Sequence, residues 1–388
     1  MISARKHFRP NHKSQITNHK LALIVGFFLS ITALAQTPTP TPTPSQEPQY
    51  FEQPAQRPHL EFLWDALARY DSIYHLRVRP DIERGRFEVR PELDFVVSDR
   101  FKVGVRAVGD LGTDHNENNG PNFDNYRSRG TTIERYFVEG RPGQFVIDAG
   151  AFGMPLLATE MLWDHDIQTP GAAVSWEIPA GASTVTVSGA GFYGPQRQGD
   201  QTRIGVGQVV WRHGDRDRFQ TEIAGSYWHF EPDDLKNTYF RQNYFTVDNN
   251  GQRHFVSDFH EADLLLRLRF PIGRVPVLLS FDAVKNFGTR GVAKDDADAF
   301  EGNVTVGRVG NPWDWRFFYT FQYVERDALM GAYNTDDWWF HTWYKGSRVG
   351  IAITVLPRLF VQGSLMFQKR LDLPVTLNRV MVDLVKMF

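Results

Sequence analysis

The sequence contains no cysteine. That absence excludes disulfide scaffolds, cysteine nucleophiles, thiolate metal sites and anchoring through a lipidated cysteine. Long apolar runs are almost as scarce in a chain of 388 residues that is 41% hydrophobic and 23% charged. The one sustained run, LALIVGFFLSITALA at 21–35, is short for a membrane helix, so a multi-span helical membrane protein is excluded. An excess of positive charge is missing too. Lys and Arg number 43 against 45 Asp and Glu, a formal net charge of −2. Five of the basic residues (Arg5, Lys6, Arg9, Lys13 and Lys20) precede the apolar run with no acid among them, so without that leader the charge is −7. Non-specific nucleic-acid binding is thereby disfavoured.

A basic stretch, a short apolar run and the small-x-small end Ala33-Leu34-Ala35 have the layout of a secretory signal, and cleavage after Ala35 is expected. Residues 36–58 then read as a Thr/Pro-rich linker. TPTPTPTPSQEPQ (37–49) fixes φ at every second residue and removes donors, which favours extended polyproline-II structure. Aromatics are abundant, at 30 Phe, 13 Tyr and 10 Trp, as suits a chain that places rings at lipid interfaces.

Beyond residue 59 the chain alternates apolar and polar side chains in segments of about ten, the period of strands whose two faces meet different surroundings. In RFEVRPELDF, Phe87, Val89, Leu93 and Phe95 share one face while Glu88, Arg90, Glu92 and Asp94 share the other. Leu264, Leu266, Leu268 and Phe270 oppose Asp263, Arg267 and Arg269 in the same way, and Trp315, Phe317, Tyr319, Phe321 and Tyr323 oppose Arg316, Thr320 and Gln322. Sixteen such segments run from 66–79, 86–95 and 101–110, through 131–140, 144–153, 171–179, 184–194, 202–212, 217–229, 260–270, 275–286, 298–308 and 314–326, to 345–356, 359–369 and 378–388. Tight turn-forming connections (98–100, 141–143, 180–183, 214–218, 272–274, 311–314 and 357–358) alternate with longer ones at 111–130, 154–170, 230–259, 287–297 and 327–344. An even strand count with short turns on one rim and long loops on the other predicts an all-β fold over 59–388: a transmembrane antiparallel barrel of about 16 strands. Fourteen or eighteen strands also fit, because 59–79 and the ends of 230–259 are ambiguous. The last segment, RVMVDLVKMF, ends in Phe388. That ending looks like the signal read by the outer-membrane barrel-assembly machinery, although Lys386 departs from the usual apolar residue at its place.

Two stretches carry a family resemblance. IERYFVEGRPGQFVIDAGAFGMPLLATEMLWDHDIQTPGAAVSW and FEGNVTVGRVGNPWDWRFFYTFQYVERDALMGAYNTDDWW resemble segments of the bacterial Putative porin family of outer-membrane β-barrels. The resemblance implies an outer-membrane barrel of a Gram-negative bacterium that passes solutes, with no assigned substrate, cofactor or catalytic residue. A phosphate-selective porin is a related reading, but no lysine-rich loop supports it.

A barrel of sixteen strands is too wide for side chains to fill. By parity its lumen face carries Arg90, Lys102, Arg106, Arg135, Arg267, Arg269, Arg316 and Arg348, interspersed with Glu88, Glu92, Asp94, Asp148, Glu222, Asp263, Asp282 and Glu301. Such a wall would line a water-filled channel for small hydrophilic solutes or ions, or would close on itself as ion pairs. Near balance in wall charge predicts weak ion selectivity. Loop 154–170, with Glu160, Asp164 and Asp166, is the candidate constriction if it folds inward. WDHD (163–166) and NTDDWW (334–339), with His341 nearby, do not present converging metal ligands on extended loops, and solvated outer loops are expected there. No Gly-x-Ser-x-Gly elbow or phosphate-cradling motif is present, so neither catalysis nor a cofactor is expected. The competing readings are a barrel enzyme and a closed structural or adhesive barrel plugged by 230–259. Outer-membrane lipid and the assembly machinery are expected partners, and a homotrimer is the expected assembly.

Overall fold

A computed structural model describes residues 58–74, 81–112, 130–194, 202–232, 243–335 and 337–387. The expected signal and all but the last residue of the expected linker lie outside the described residues, as does Phe388.

The alternation read from the sequence is realised as strands with one exposed and one covered face. Residues 203–215 show it residue by residue: Ile204, Val206, Gln208 and Val210 are buried while Arg203, Gly205, Gly207 and Val209 are exposed. Sixteen strands close one antiparallel barrel. They are β1 (His59–Tyr74), β2 (Ile82–Ser98), β3 (Phe101–Gly112), β4 (Gly130–Gly140), β5 (Phe145–Phe152), β6 (Thr169–Ala180), β7 (Ser183–Tyr193), β8 (Arg203–Asp215) and β9 (Phe219–Glu231), then β12 (Phe259–Ile272), β13 (Val275–Asn286), β14 (Asp298–Gly307), β15 (Trp315–Val324), β16 (Tyr344–Leu356), β17 (Leu359–Arg370) and β18 (Thr376–Lys386). A two-stranded hairpin, β10 (Phe245–Val247) and β11 (Arg253–Phe255), stands apart between β9 and β12. Closure is made by β1 against β18, in register from Ala66 with Lys386 to Tyr74 with Asn378. A closed sheet leaves no unpaired edge, which matters where no solvent can satisfy backbone donors.

The sixteen segments expected from periodicity coincide with the sixteen barrel strands, with one clear displacement. The first strand spans 59–74 rather than 66–79. The stretch about Ala66 and Ala68 has little polarity contrast, so pairing decides the matter, and β1 is aligned with β2 continuously from His59 with Val96 to Ile73 with Ile82. Parity also breaks at bulges, two at strand ends, between Val96 and Ser98 and between Thr354 and Leu356, and one within the wall. The β3–β4 register shifts between Arg106 and Ala107, leaving Glu134 as an extra residue on β4. Ile133 and Tyr136 both face outward, so the bulge turns both Glu134 and Arg135 into the lumen.

The hydrophobic core sits in the barrel mouth. Two loops, 153–168 after β5 and 325–343 after β15, turn inward and pack on each other. Trp163, only 1% exposed, stacks on Tyr333 with ring centroids 5.2 Å apart and on Trp228 of β9 at 5.8 Å. Leu156, Met161, Leu162, Leu329, Met330, Trp338 and Phe340 join the same cluster. Backbone bonds link the loops: the Asp164 N–H donates to the Tyr333 carbonyl at 2.8 Å and that of Thr335 to the Glu160 carbonyl at 3.1 Å. Two expectations are corrected here. WDHD and NTDDWW are solvated only in part: Trp163, Asp164, Asn334, Thr335, Trp338 and His341 are buried while His165 stays exposed, because the apolar residues around them are covered only inside the mouth. The segment filling the mouth with 153–168 is 325–343, and the described part of 230–259 braces it from one side. Ser257 Oγ donates to Asp327 Oδ2 at 2.6 Å, and Asn243 Nδ2 donates to the Leu329 carbonyl at 3.0 Å.

Candidate functional site: the lumen wall and its inward loops

Inward positions on β2, β3 and β4 put alternating charges side by side. Arg90 Nη2 lies 2.5 Å from Glu88 Oε1, Arg106 Nε 3.0 Å from Glu134 Oε2, Arg135 Nη1 3.7 Å from Glu92 Oε1, and Lys102 Nζ 3.1 Å from Asp94 Oδ2. Arg86 bridges Glu88 at 2.7 Å and Asp110 at 3.5 Å. Every basic residue named on this wall has a carboxylate partner, so it is charge-balanced at contact distance. Asp148 of β5 also sits on the inward parity, half-buried.

A second network lies across the β18–β1 seam. Arg379 donates from Nε and Nη2 to the two oxygens of Asp71 at 2.8 Å each, the fork geometry that favours guanidinium over ammonium. Arg84 binds the same carboxylate at 2.6 Å, and Arg69 holds Asp383 at 2.8 Å. The inward loop joins this network through Asp337, whose carboxylate is 2.6 Å from Arg69 and 2.9 Å from Arg348. Burial alone would raise the Asp337 pKa. The guanidiniums of Arg69, Arg348 and Arg379 outweigh burial and hold it well below the usual carboxylate range.

The third wall is different. Glu222 of β9 is gripped by Arg212 at 2.8 Å and by Arg269 at 3.4 Å. Beside it, Glu261, Asp263, Asp282 and Glu301 are buried, bonded mainly to uncharged donors. Ser226 Oγ donates to Asp263 at 2.6 Å, Gln322 Nε2 to Glu301 at 2.6 Å, and the Thr159 hydroxyl to Asp282. Arg267 Nη2 donates to the Ala158 carbonyl at 3.1 Å, and Arg316 Nη2 to Gln362 Oε1 at 2.7 Å.

The loop at 153–168 touches widely separated strands: Gln208 of β8 exchanges two 2.8 Å hydrogen bonds with the backbone of Leu157, Arg348 of β16 lies 3.6 Å from Glu160 and Arg90 of β2 lies 2.9 Å from Asp166. Of its three acids, Glu160 and Asp166 keep considerable solvent exposure. Asp164 is buried, its Oδ1 accepting the Asp166 N–H at 3.0 Å. The remaining space on the β12–β17 side is a cavity of about 420 Å³, lined by Glu160, His165, Arg267, Glu301, Arg316 and Arg348 among others. No three His, Asp or Glu side chains among the described residues are placed to hold a metal ion.

Sequence parity brings Arg90, Arg106, Arg135, Glu88 and Asp94 into one cluster, and Arg267, Arg316 and Arg348 around one cavity. It missed Glu134, hidden by the bulge, and Asp337, whose position depends on where its loop goes. Arg379 and Asp383 were legible, because they alternate with Val380 and Val382 on β18.

Comparison with known proteins agrees with this architecture. Residues 235–388 match the family model described as Putative porin. No curated protein sequence matches. Among solved structures, the high-pH form of OprB from Pseudomonas putida is 11% identical, with a TM-score of 0.55 over 85% of this chain and 94% of that one. The trimer form of OmpT, an outer membrane protein of Vibrio cholerae, is 8% identical, with a TM-score of 0.50 over 86% and 100%. At such identities the likeness is one of fold. The chain is a closed sixteen-stranded porin-like barrel whose residues 235–388 carry the sequence pattern of the Putative porin family.

Proposed function

We propose that this chain is an outer-membrane porin of a Gram-negative bacterium, forming a water-filled channel for passive diffusion of small hydrophilic solutes or ions. The observation that carries this reading is the inverted polarity of the barrel. Phe87, Phe95, Tyr136, Trp176, Tyr227 and Phe367 are exposed on the outside while the ion pairs lie within. Such an exterior fits hydrocarbon and aromatic-rich membrane interfaces, and such an interior fits water. In this reading residues 1–35 are a cleaved signal peptide, 36–58 a linker and 59–388 the barrel. Arg90, Arg106, Arg135, Arg267, Arg269, Arg316 and Arg348, with Glu88, Asp94, Asp148, Glu222 and Asp282, line the pore. Loop 153–168 narrows it, presenting Glu160 and Asp166 with Asp164 behind them. The strand ending at Phe388 is the feature offered to the barrel-assembly machinery, and a homotrimer is the proposed assembly, the Vibrio cholerae OmpT structure being of a trimer form.

A second reading, a closed structural barrel, draws on the apolar cluster that the two inward loops form in the mouth. Single-channel recording in a planar bilayer separates the two. The porin reading expects stable open steps from the folded barrel. Silence from protein that shows the heat-modifiable gel shift of a folded barrel would favour the closed barrel.

A further inference from the structure

The charged walls of the lumen are not equivalent, and the difference points to a ligand. On the β2–β4 wall each named guanidinium contacts a carboxylate. Around the cavity on the opposite side, Arg267 and Arg316 have no ion pair among the described residues. Each makes one hydrogen bond to a neutral oxygen, the Ala158 carbonyl and the Gln362 amide. A guanidinium carries five donors, so most of the hydrogen-bonding capacity of both is unspent. Arg316 and Arg348 both approach the Phe318 ring, with guanidinium carbons 5.9 Å and 5.3 Å from its centroid. Arg348 is already committed to Asp337 and Glu160, so Arg267 and Arg316 are the two cations left to serve a guest.

We propose that this cavity binds small hydroxylated carboxylates. Its volume of about 420 Å³ lies within the range of small-ligand sites. A carboxylate matches the guanidinium fork, accepting two parallel N–H bonds. The wall between supplies partners for hydroxyl groups. Thr305 Oγ1 donates to Asn303 Oδ1 at 3.0 Å and Asn303 Nδ2 to Thr320 Oγ1 at 2.7 Å, leaving the Thr320 hydroxyl hydrogen and one Asn303 N–H for a guest. Inorganic phosphate offers the guanidiniums an anion but no hydroxylated carbon chain for Thr320 and Asn303, and glucose offers hydroxyls but no anion, so a hydroxylated carboxylate is preferred over either.

This inference deepens the porin reading, and its test keeps the two separable. The full chain, refolded in detergent and confirmed by its heat-modifiable gel shift, is titrated with D-gluconate by calorimetry, with D-glucose and inorganic phosphate as comparisons. Gluconate is expected to bind, with glucose and phosphate at least tenfold weaker. Arg267→Gln and Arg316→Gln should each weaken gluconate at least tenfold, while Arg141→Gln, in an exposed turn, should leave it unchanged. Equal gluconate affinity in the double variant and the parent, no gluconate binding, or glucose binding as well as gluconate would overturn the proposal, and phosphate binding more tightly would overturn its choice of a hydroxylated carboxylate. In bilayers, gluconate should produce brief current interruptions that the double variant lacks. Binding without any channel current would refute the porin reading and leave the site standing. Open channels without calorimetric binding would remove the site alone.

Discussion

Asp337→Asn tests whether one carboxylate holds the inward loop 325–343 against the wall. The substitution keeps the shape of the side chain and removes its charge. In the parent, Asp337 binds Arg69 at 2.6 Å and Arg348 at 2.9 Å, and its backbone carbonyl accepts from Arg379 Nη1 at 2.5 Å. Orphaning a buried charge costs about 3–5 kcal/mol. Here the penalty is smaller, because Arg69 keeps Asp383 and Arg348 keeps Glu160, and the carbonyl bond survives. Loss of about 2 kcal/mol, within the range for charge-assisted hydrogen bonds, raises the population of the undocked loop roughly thirtyfold at about 1.4 kcal/mol per tenfold. Limited proteolysis in the regime where loop opening is fast reports that population directly, so cleavage within 325–343 should accelerate by about that factor. The variant channel should also fluctuate more. The pH dependence has a definite sign. Because the guanidiniums overcome burial and depress the Asp337 pKa below its ordinary 3.8, its contribution is complete above that value and is lost only as pH falls through the lower folded one. The parent loop should therefore stay docked at pH 5. Equal cleavage rates in parent and Asp337→Asn, with both barrels folded, would refute this account of the latch.

Trp163→Ala removes the ring stacked between Tyr333 and Trp228 and should cost about 3–5 kcal/mol of loop packing, read as loss of hydrogen-exchange protection in 153–168 and 325–343 with the sixteen strands still protected; protection unchanged in both loops would contradict it. Gly350→Ala would drive a Cβ into Phe318 Cζ and to 2.8 Å from the Gly363 carbonyl oxygen, so the ring that Arg316 and Arg348 approach must shift; the barrel should fold while conductance changes, and a parental conductance would show that Phe318 does not shape the passage. Neutralising Glu160 and Asp166 together should move the reversal potential in a salt gradient toward anion preference, whereas Asp164→Asn, at a buried side chain bonded within its own loop, should not; a shift from Asp164→Asn alone would reverse these roles. Burial raises the Asp327 pKa, against the hydrogen bonds from Ser257, the Tyr244 N–H and Asn243. Its folded value lies above the unfolded one, so its contribution to docking is complete below the ordinary 3.8 and is lost as pH rises through that raised value. Asp327→Asn should abolish that pH dependence in hydrogen exchange of 325–343.

Strand number and facing were readable from the chain because each strand meets two unlike environments, and that contrast imprints a period of two on the residues themselves. It assigned Arg90, Arg267 and Arg348 to the interior without any knowledge of their neighbours. What a single strand cannot encode is its register against the next. The start of β1 at His59 and the bulge at Glu134 are properties of pairs of strands, and only the closed sheet decided them. Loop placement lies further still from local pattern. The apolar content of 325–343 (Leu329, Met330, Tyr333, Trp338 and Phe340) required burial somewhere, but the location depended on an interior that exists only once sixteen strands have closed. The same closure separates the ion-paired arginines of β2–β4 from Arg267 and Arg316. All of them read alike along the chain, and they differ because carboxylates of the same and neighbouring strands reach one group at contact distance and not the other.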